Sequence, residues 1–103
     1  MTIRSPFHPH FGSNQNISPA AAPASITIGF GSKTLRVRNT GATNVMYFRT
    51  GVASEGTVTA TTADMPVYPG ETVYIEKPQD HTTVSTVSAA GTTASIMSGE
   101  GGF

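Results

Sequence analysis

Three histidines, six carboxylates and many hydroxyls are the side chains in this 103-residue sequence that could do chemistry. His8 and His10 stand two apart around Pro9, and His81 falls between two expected strands. A metal site needs three or four ligands held in fixed geometry. No spacing here brings His81 to the N-terminal pair, so no metal and no cofactor is expected. Asp64 with Glu55, and Glu71 with Glu76, are the candidate acid–base pairs for glycoside hydrolysis. Each of these carboxylates sits beside an expected turn or on an exposed strand face, the ordinary setting of a solvated acid. The serines and threonines show no adjacent base and orienting group of the kind that activates a nucleophile. The run Gly29-Phe30-Gly31-Ser32 lacks the lysine and the following helix that give a phosphate loop its meaning. The sequence therefore offers no catalytic residue, and a non-enzymatic protein is expected.

Composition points the same way. Cysteine is absent, which excludes disulfides and thiolate metal sites within the chain. Charged residues make up only 12%, about half the usual share of a soluble domain, and six basic residues balance six acidic ones. A zero net charge argues against direct nucleic-acid readout, which calls for a basic patch or stripe. It also leaves a free domain poorly protected against self-association, as suits a protein that works docked in an assembly. No apolar run reaches the 18 or so residues that span a membrane. Pro6, His8, Pro9 and His10 stand where the apolar stretch of a signal peptide would be, so synthesis in the cytoplasm is expected.

The elements that must position any functional residue are short strands. Residues 1–24 carry four prolines, scattered aromatics and no hydrophobic period, and read as an extended arm unable to build a sheet of its own. Such an arm is either a solvated tail or a segment draped over a partner. From Ser25 the pattern changes to period-two alternation: Ile26 and Ile28 in a strand ending near Phe30, Leu35 and Val37 within 33–38, and Met46 and Phe48 within 44–50. Both faces of that third strand are apolar, which suits a central position. A Thr- and Val-rich edge strand is expected over 57–62, and Pro66 restricts the piece around Val67 to an edge or a strand start. Val73 and Ile75 point inward within 71–77. Val84 and Val87 break alternation within 82–88, which suggests a bulge or a bend. Ala94 and Ile96 share a face in a last strand over 93–98, followed by a flexible tail over 99–103. Turns fall at Gly31-Ser32, at Asn39-Thr40-Gly41 with Gly41 in positive φ, and at Pro69-Gly70 in type II geometry.

Seven to eight short strands at such spacing, with no helical period, imply an all-β domain over 25–98, a small antiparallel β-sandwich or barrel. Immunoglobulin-like and jelly-roll-like arrangements both remain open. The interaction candidates are Ile3, Phe7, Phe11 and Ile17 on the arm, Arg36 and Arg38 on one strand face, Arg49, and Tyr74 on an outward face. Arg49 is expected on the hairpin neighbour of Arg36 and Arg38, across the Asn39–Gly41 turn. Arginine forks match carboxylates, so these three suit an acidic protein surface.

The stretches LRVRNTGATNVMYFRTG (35–51), VTATTADMPVYPGETVYIEKP (58–78) and SIMSGEGG (95–102) resemble a family of small virion proteins of tailed bacteriophages, encoded near capsid and head-to-tail genes. The shared pattern is an N-T-G turn, F-x-x-G after the next strand, T-A-T-x-x-D-x-P, then P-G and a late G-E-G. The resemblance covers two thirds of the chain and leaves out the arm. It implies a decoration or cement protein on the capsid surface, a homo-oligomer that binds the major capsid protein or another virion protein. It also implies that Asn39, Gly41, Asp64, Pro66, Pro69 and Gly70 define the fold. The motifs equally fit a head-to-tail connector, tail or head-fibre-base component, and a carbohydrate- or receptor-binding β module stands as a further alternative.

Overall fold

The computed structural model describes residues 6–9, 11–28, 33–52 and 58–101. Ile3, His10, the Gly31-Ser32 turn, Glu55 and the last two residues lie outside them. Nine strands form in the order β1 (His8–Pro9), β2 (Gln15–Ile17), β3 (Ala24–Thr27), β4 (Thr34–Asn39), β5 (Met46–Gly51), β6 (Met65–Val67), β7 (Thr72–Glu76), β8 (Thr83–Val87) and β9 (Ala94–Glu100). No helix occurs among the described residues. One sheet runs β1-β9-β4-β7, with β2 also on β9, and the other runs β3-β8-β5-β6, all pairs antiparallel. With β2 to β9 counted as eight strands, this is jelly-roll order, the chain passing between two four-stranded sheets in paired Greek keys. The all-β expectation holds, as a sandwich.

Alternation builds the core between the sheets. Leu35 and Val37 of β4, Ala94 and Ile96 of β9, Met46 and Phe48 of β5, and Val84 of β8 are buried together with Ile28 and Val67. Val73 and Ile75 of β7 and Ile17 and Ile26 from the N-terminal strands pack against them. The Pro69-Gly70 turn forms as expected: Glu71 N–H donates to Tyr68 O at 2.9 Å and Gly70 has φ +77°. Pro66 lies on β6, an edge strand, where its missing N–H costs nothing.

Several expectations give way to the topology. The Asn39–Gly41 turn is not a hairpin, because it carries the chain from one sheet to the other. Gly41 does not have positive φ; a Cβ there would collide with the Thr92 hydroxyl, so close approach explains the glycine. Val84 and Val87 need no bulge, since β8 pairs with β5 residue for residue from Thr83 to Val87. Every residue of β8 is buried, so its two valines serve opposite faces. Residues 58–62 are not a strand. They cross the outside of the second sheet instead, where Val58 O accepts from Ser25 Oγ (3.0 Å) and Ala60 N–H donates to Ser85 Oγ (2.9 Å). β9 continues through Glu100, two residues into the stretch expected as a tail.

The described part of the arm lies on the chain's own sheet. β1 pairs His8 with Glu100 and Pro9 with Gly99, and β2 pairs Gln15, Asn16 and Ile17 with Ile96, Ser95 and Ala94. Main-chain pairing makes no demand on side-chain period, which is why the arm's sequence reads as patternless.

Candidate functional site

The register of the first sheet fixes what its outer face presents. Tyr74 of β7 lies opposite Arg36 of β4, which lies opposite Met97 of β9. In the next row stand Thr72, Arg38, Ser95 and Asn16, and in the row beyond Arg36 stand Glu76, Thr34, Gly99 and Pro9. Phe7 folds back over this face. Its ring meets Tyr74 edge-on, with centroids 5.2 Å apart, and covers Gly99. Arg38 Nη1 donates to Thr72 Oγ1 at 3.0 Å, which points its guanidinium toward the β7 edge.

Phe7, Arg36, Arg38 and Tyr74 therefore share one surface. Phe11 stands beside it, 87% exposed, at the turn between β1 and β2 where Gly12 adopts φ +88°. The turn is held at its base by Ser13, whose hydroxyl accepts from Ser98 N–H at 3.3 Å. Ile17 points to the other side of the sheet, into the core, and Ile3 lies outside the described residues. Arg49 is not the neighbour of Arg36 and Arg38: β5 belongs to the second sheet, and there Arg49 forks onto Asp64 Oδ1 through Nε (3.0 Å) and Nη2 (2.8 Å).

Burial by itself would raise the Asp64 carboxyl. Hydrogen bonds from the Thr61 backbone and the Arg49 guanidinium, with the Arg49 charge and the Thr61 hydroxyl, outweigh it and hold the group below the usual aspartate range. A carboxyl depressed in the folded state binds its proton more readily when unfolded. Its stabilising share is therefore present above the unfolded value of about 3.9 and lost as pH falls through the lower folded value. Thermal unfolding midpoints measured from neutral pH down to pH 2 should fall more steeply for the natural chain than for Asp64→Asn. Equal slopes would remove the pair from the account of acid stability. The effect is small, since Arg49 is half exposed.

Among the described residues no three His, Asp or Glu side chains gather as metal ligands would. His81 Nδ1 lies 2.9 Å from Thr50 Oγ1. A cleft of about 470 Å³ is lined by Lys33, Glu76, Lys77, Pro78 and Gln79. Burial pushes the Lys77 ammonium below its usual value, against the raising influence of Glu100 and Asp80. Sequence reasoning puts Thr72, Tyr74 and Glu76 on the outward face, as the structure has them, and missed Gly99 as part of it. The alternation of Thr72, Tyr74 and Glu76 is the signal for that face, but only the register shows which arginines they meet.

No protein-family model matches the chain, and a search of curated proteins found no match either. Solved structures do resemble it. A crystal structure of PirA superposes with a TM-score of 0.54 at 13% identity, over 86% of this chain and 95% of that one. The SPBc2 prophage-derived protein YomS gives 0.49 at 14% identity, over 82% and 93%. A subunit of Bacillus endospore appendages, described as disulfide-linked pili, gives 0.43 at 15% identity, over 97% and 96%. At these identities what the chain shares with PirA is the fold, a two-sheet all-β domain spanning nearly all of both proteins.

Proposed function

We propose that this chain is a non-enzymatic structural virion protein, a decoration or cement protein that binds the major capsid protein and stabilises the shell of a tailed bacteriophage. The observation that carries the reading is Phe11. Its ring is almost fully exposed, yet the turn that holds it is fastened on both sides by strands paired to β9. An aromatic side chain presented on an ordered turn enters a partner's pocket at little conformational cost. Phe7, Tyr74 and Arg36 extend the contact surface next to it. The phage-protein resemblance of residues 35–102 supplies the kind of partner. In this reading the jelly roll is a rigid block and the arm turn is its anchor, which needs no cofactor.

The test is cosedimentation of the purified chain with capsid shells that lack it. Phe11→Ser should reduce the bound fraction about tenfold while far-UV circular dichroism stays unchanged. Natural-level binding by Phe11→Ser overturns the anchor. Binding to neck or tail particles in place of shells moves the protein to the connector, and binding to neither overturns the virion reading.

A further inference from the structure

A jelly roll of two open sheets has four edges, and three of them are blunted here. β6 carries Pro66 at its centre. The β1–β2 edge is interrupted by the Phe11-Gly12 turn. On β3, Thr27 O is taken by Gln15 Nε2 at 2.7 Å, and Ser25 Oγ donates to Val58 O. β7 differs: it runs five residues, Thr72–Glu76, without proline or interruption, and among the described residues no strand lies on its far side. An edge of this kind is a template for another strand.

The ladder shows which groups are free. Lys77 N–H donates to Lys33 O at 2.8 Å and Asn39 N–H to Glu71 O at 3.0 Å. In an antiparallel pair, hydrogen-bonded and non-hydrogen-bonded residues alternate. The odd-numbered residues of β7 are thus bonded to β4, and the main-chain groups of Thr72, Tyr74 and Glu76 face outward. A second antiparallel strand must pair through these three.

We propose that the β7 edge is a two-fold self-docking surface, where β7 of a second copy of this chain pairs antiparallel with Tyr74 opposite Tyr74. This register places Thr72 opposite Glu76 of the second copy, and the converse, and makes about six main-chain hydrogen bonds. It also resolves the charges. Arg38 and Glu76 lie on the same outer face, and neither has an ion-pair partner among the described residues. The Arg38 guanidinium is already held over Thr72. Glu76 of the second copy arrives opposite that threonine, within reach of Arg38, and symmetry repeats the pair on the other side of the axis. The Tyr74 rings meet at the axis with Arg36 behind each of them. The contact is isologous and closed, so it ends at a dimer with one continuous sheet.

This inference does not depend on the capsid reading and is tested on the purified chain alone by sedimentation equilibrium at low salt. The natural chain should form dimers. Arg38→Glu and Glu76→Arg, each placing like charges together, should weaken dimerisation by about tenfold or more, and the double exchange Arg38→Glu with Glu76→Arg should restore it. Tyr74→Pro removes an outward N–H that bonds nothing among the described residues, and should give a chain that is folded by circular dichroism and monomeric by sedimentation. A natural chain that stays monomeric at millimolar concentration overturns the proposal. So does a dimer that neither single reversal weakens.

Discussion

Replacing Asn39 by alanine should lower the stability of the domain by about 3–4 kcal/mol, and its thermal midpoint by about 15–25 °C. Asn39 is fully buried at the end of β4, and every polar atom of its side chain is used. Nδ2 donates to Asn44 O at 2.8 Å and to Val67 O at 2.9 Å. Oδ1 accepts from Gly41 N–H at 3.0 Å and from Thr92 Oγ1 at 2.8 Å. One amide thus joins the turn after β4, the end of β6 and the loop before β9, linking both sheets at one end of the sandwich. Alanine leaves two carbonyls, one N–H and one hydroxyl without their partner, at roughly 1 kcal/mol each. Asn39→Asp is the informative companion: it keeps the shape and the acceptors but loses both donors and brings a buried charge, so it should be no more stable than alanine. Denaturant melts of the two variants check this. A loss under 1 kcal/mol for alanine would mean that water replaces the amide and that the network is not structural.

Gly99→Val should displace the arm. A Cβ at position 99 would lie against His8 O and 2.6 and 2.7 Å from the Phe7 ring carbons Cε1 and Cζ. A ring can rotate away, but the His8 carbonyl is main chain and retreats only if β1 leaves β9. The expected cost is about 2 kcal/mol, with faster amide exchange over residues 6–9 and an otherwise intact sheet. Introducing the same valine into a Phe7→Ala background separates the two clashes. The loss should persist there in large part, because the carbonyl remains. Unaltered exchange over 6–9 in Gly99→Val would show that β1 accommodates the side chain in place.

Much of this architecture is legible in the sequence because alternation and turn chemistry are local. Leu35/Val37, Met46/Phe48, Val73/Ile75 and Ala94/Ile96 each declare a strand and its inner face, and Pro69-Gly70 declares its turn. What fails to show is which strands meet. The Asn39–Gly41 turn has hairpin composition, yet the chain crosses between sheets there, because the amide of Asn39 finds partners at 67 and 92 that no window around it contains. The same crossing separates Arg49 from Arg36 and Arg38. Residues 58–62 have strand composition but cover a sheet from outside, a place where apolar and hydroxyl side chains are just as useful. Of the candidate surface, Tyr74, Arg36 and Arg38 could be read from period two. The contact of Phe7 with Gly99 could not, since it depends on pairing between the two ends of the described chain.

That pairing constrains how the protein is made. β9 is bonded on one side to the arm and on the other to β4, so residue 8 finds its partner at residue 100. While a ribosome is still threading the last strand through its exit tunnel, β4 has an open edge and the arm has nothing to lie on. The nascent chain therefore cannot close its first sheet until residue 100 has emerged. The slow, non-local closure expected of such topologies leaves the β4 edge open to other strands in the interval.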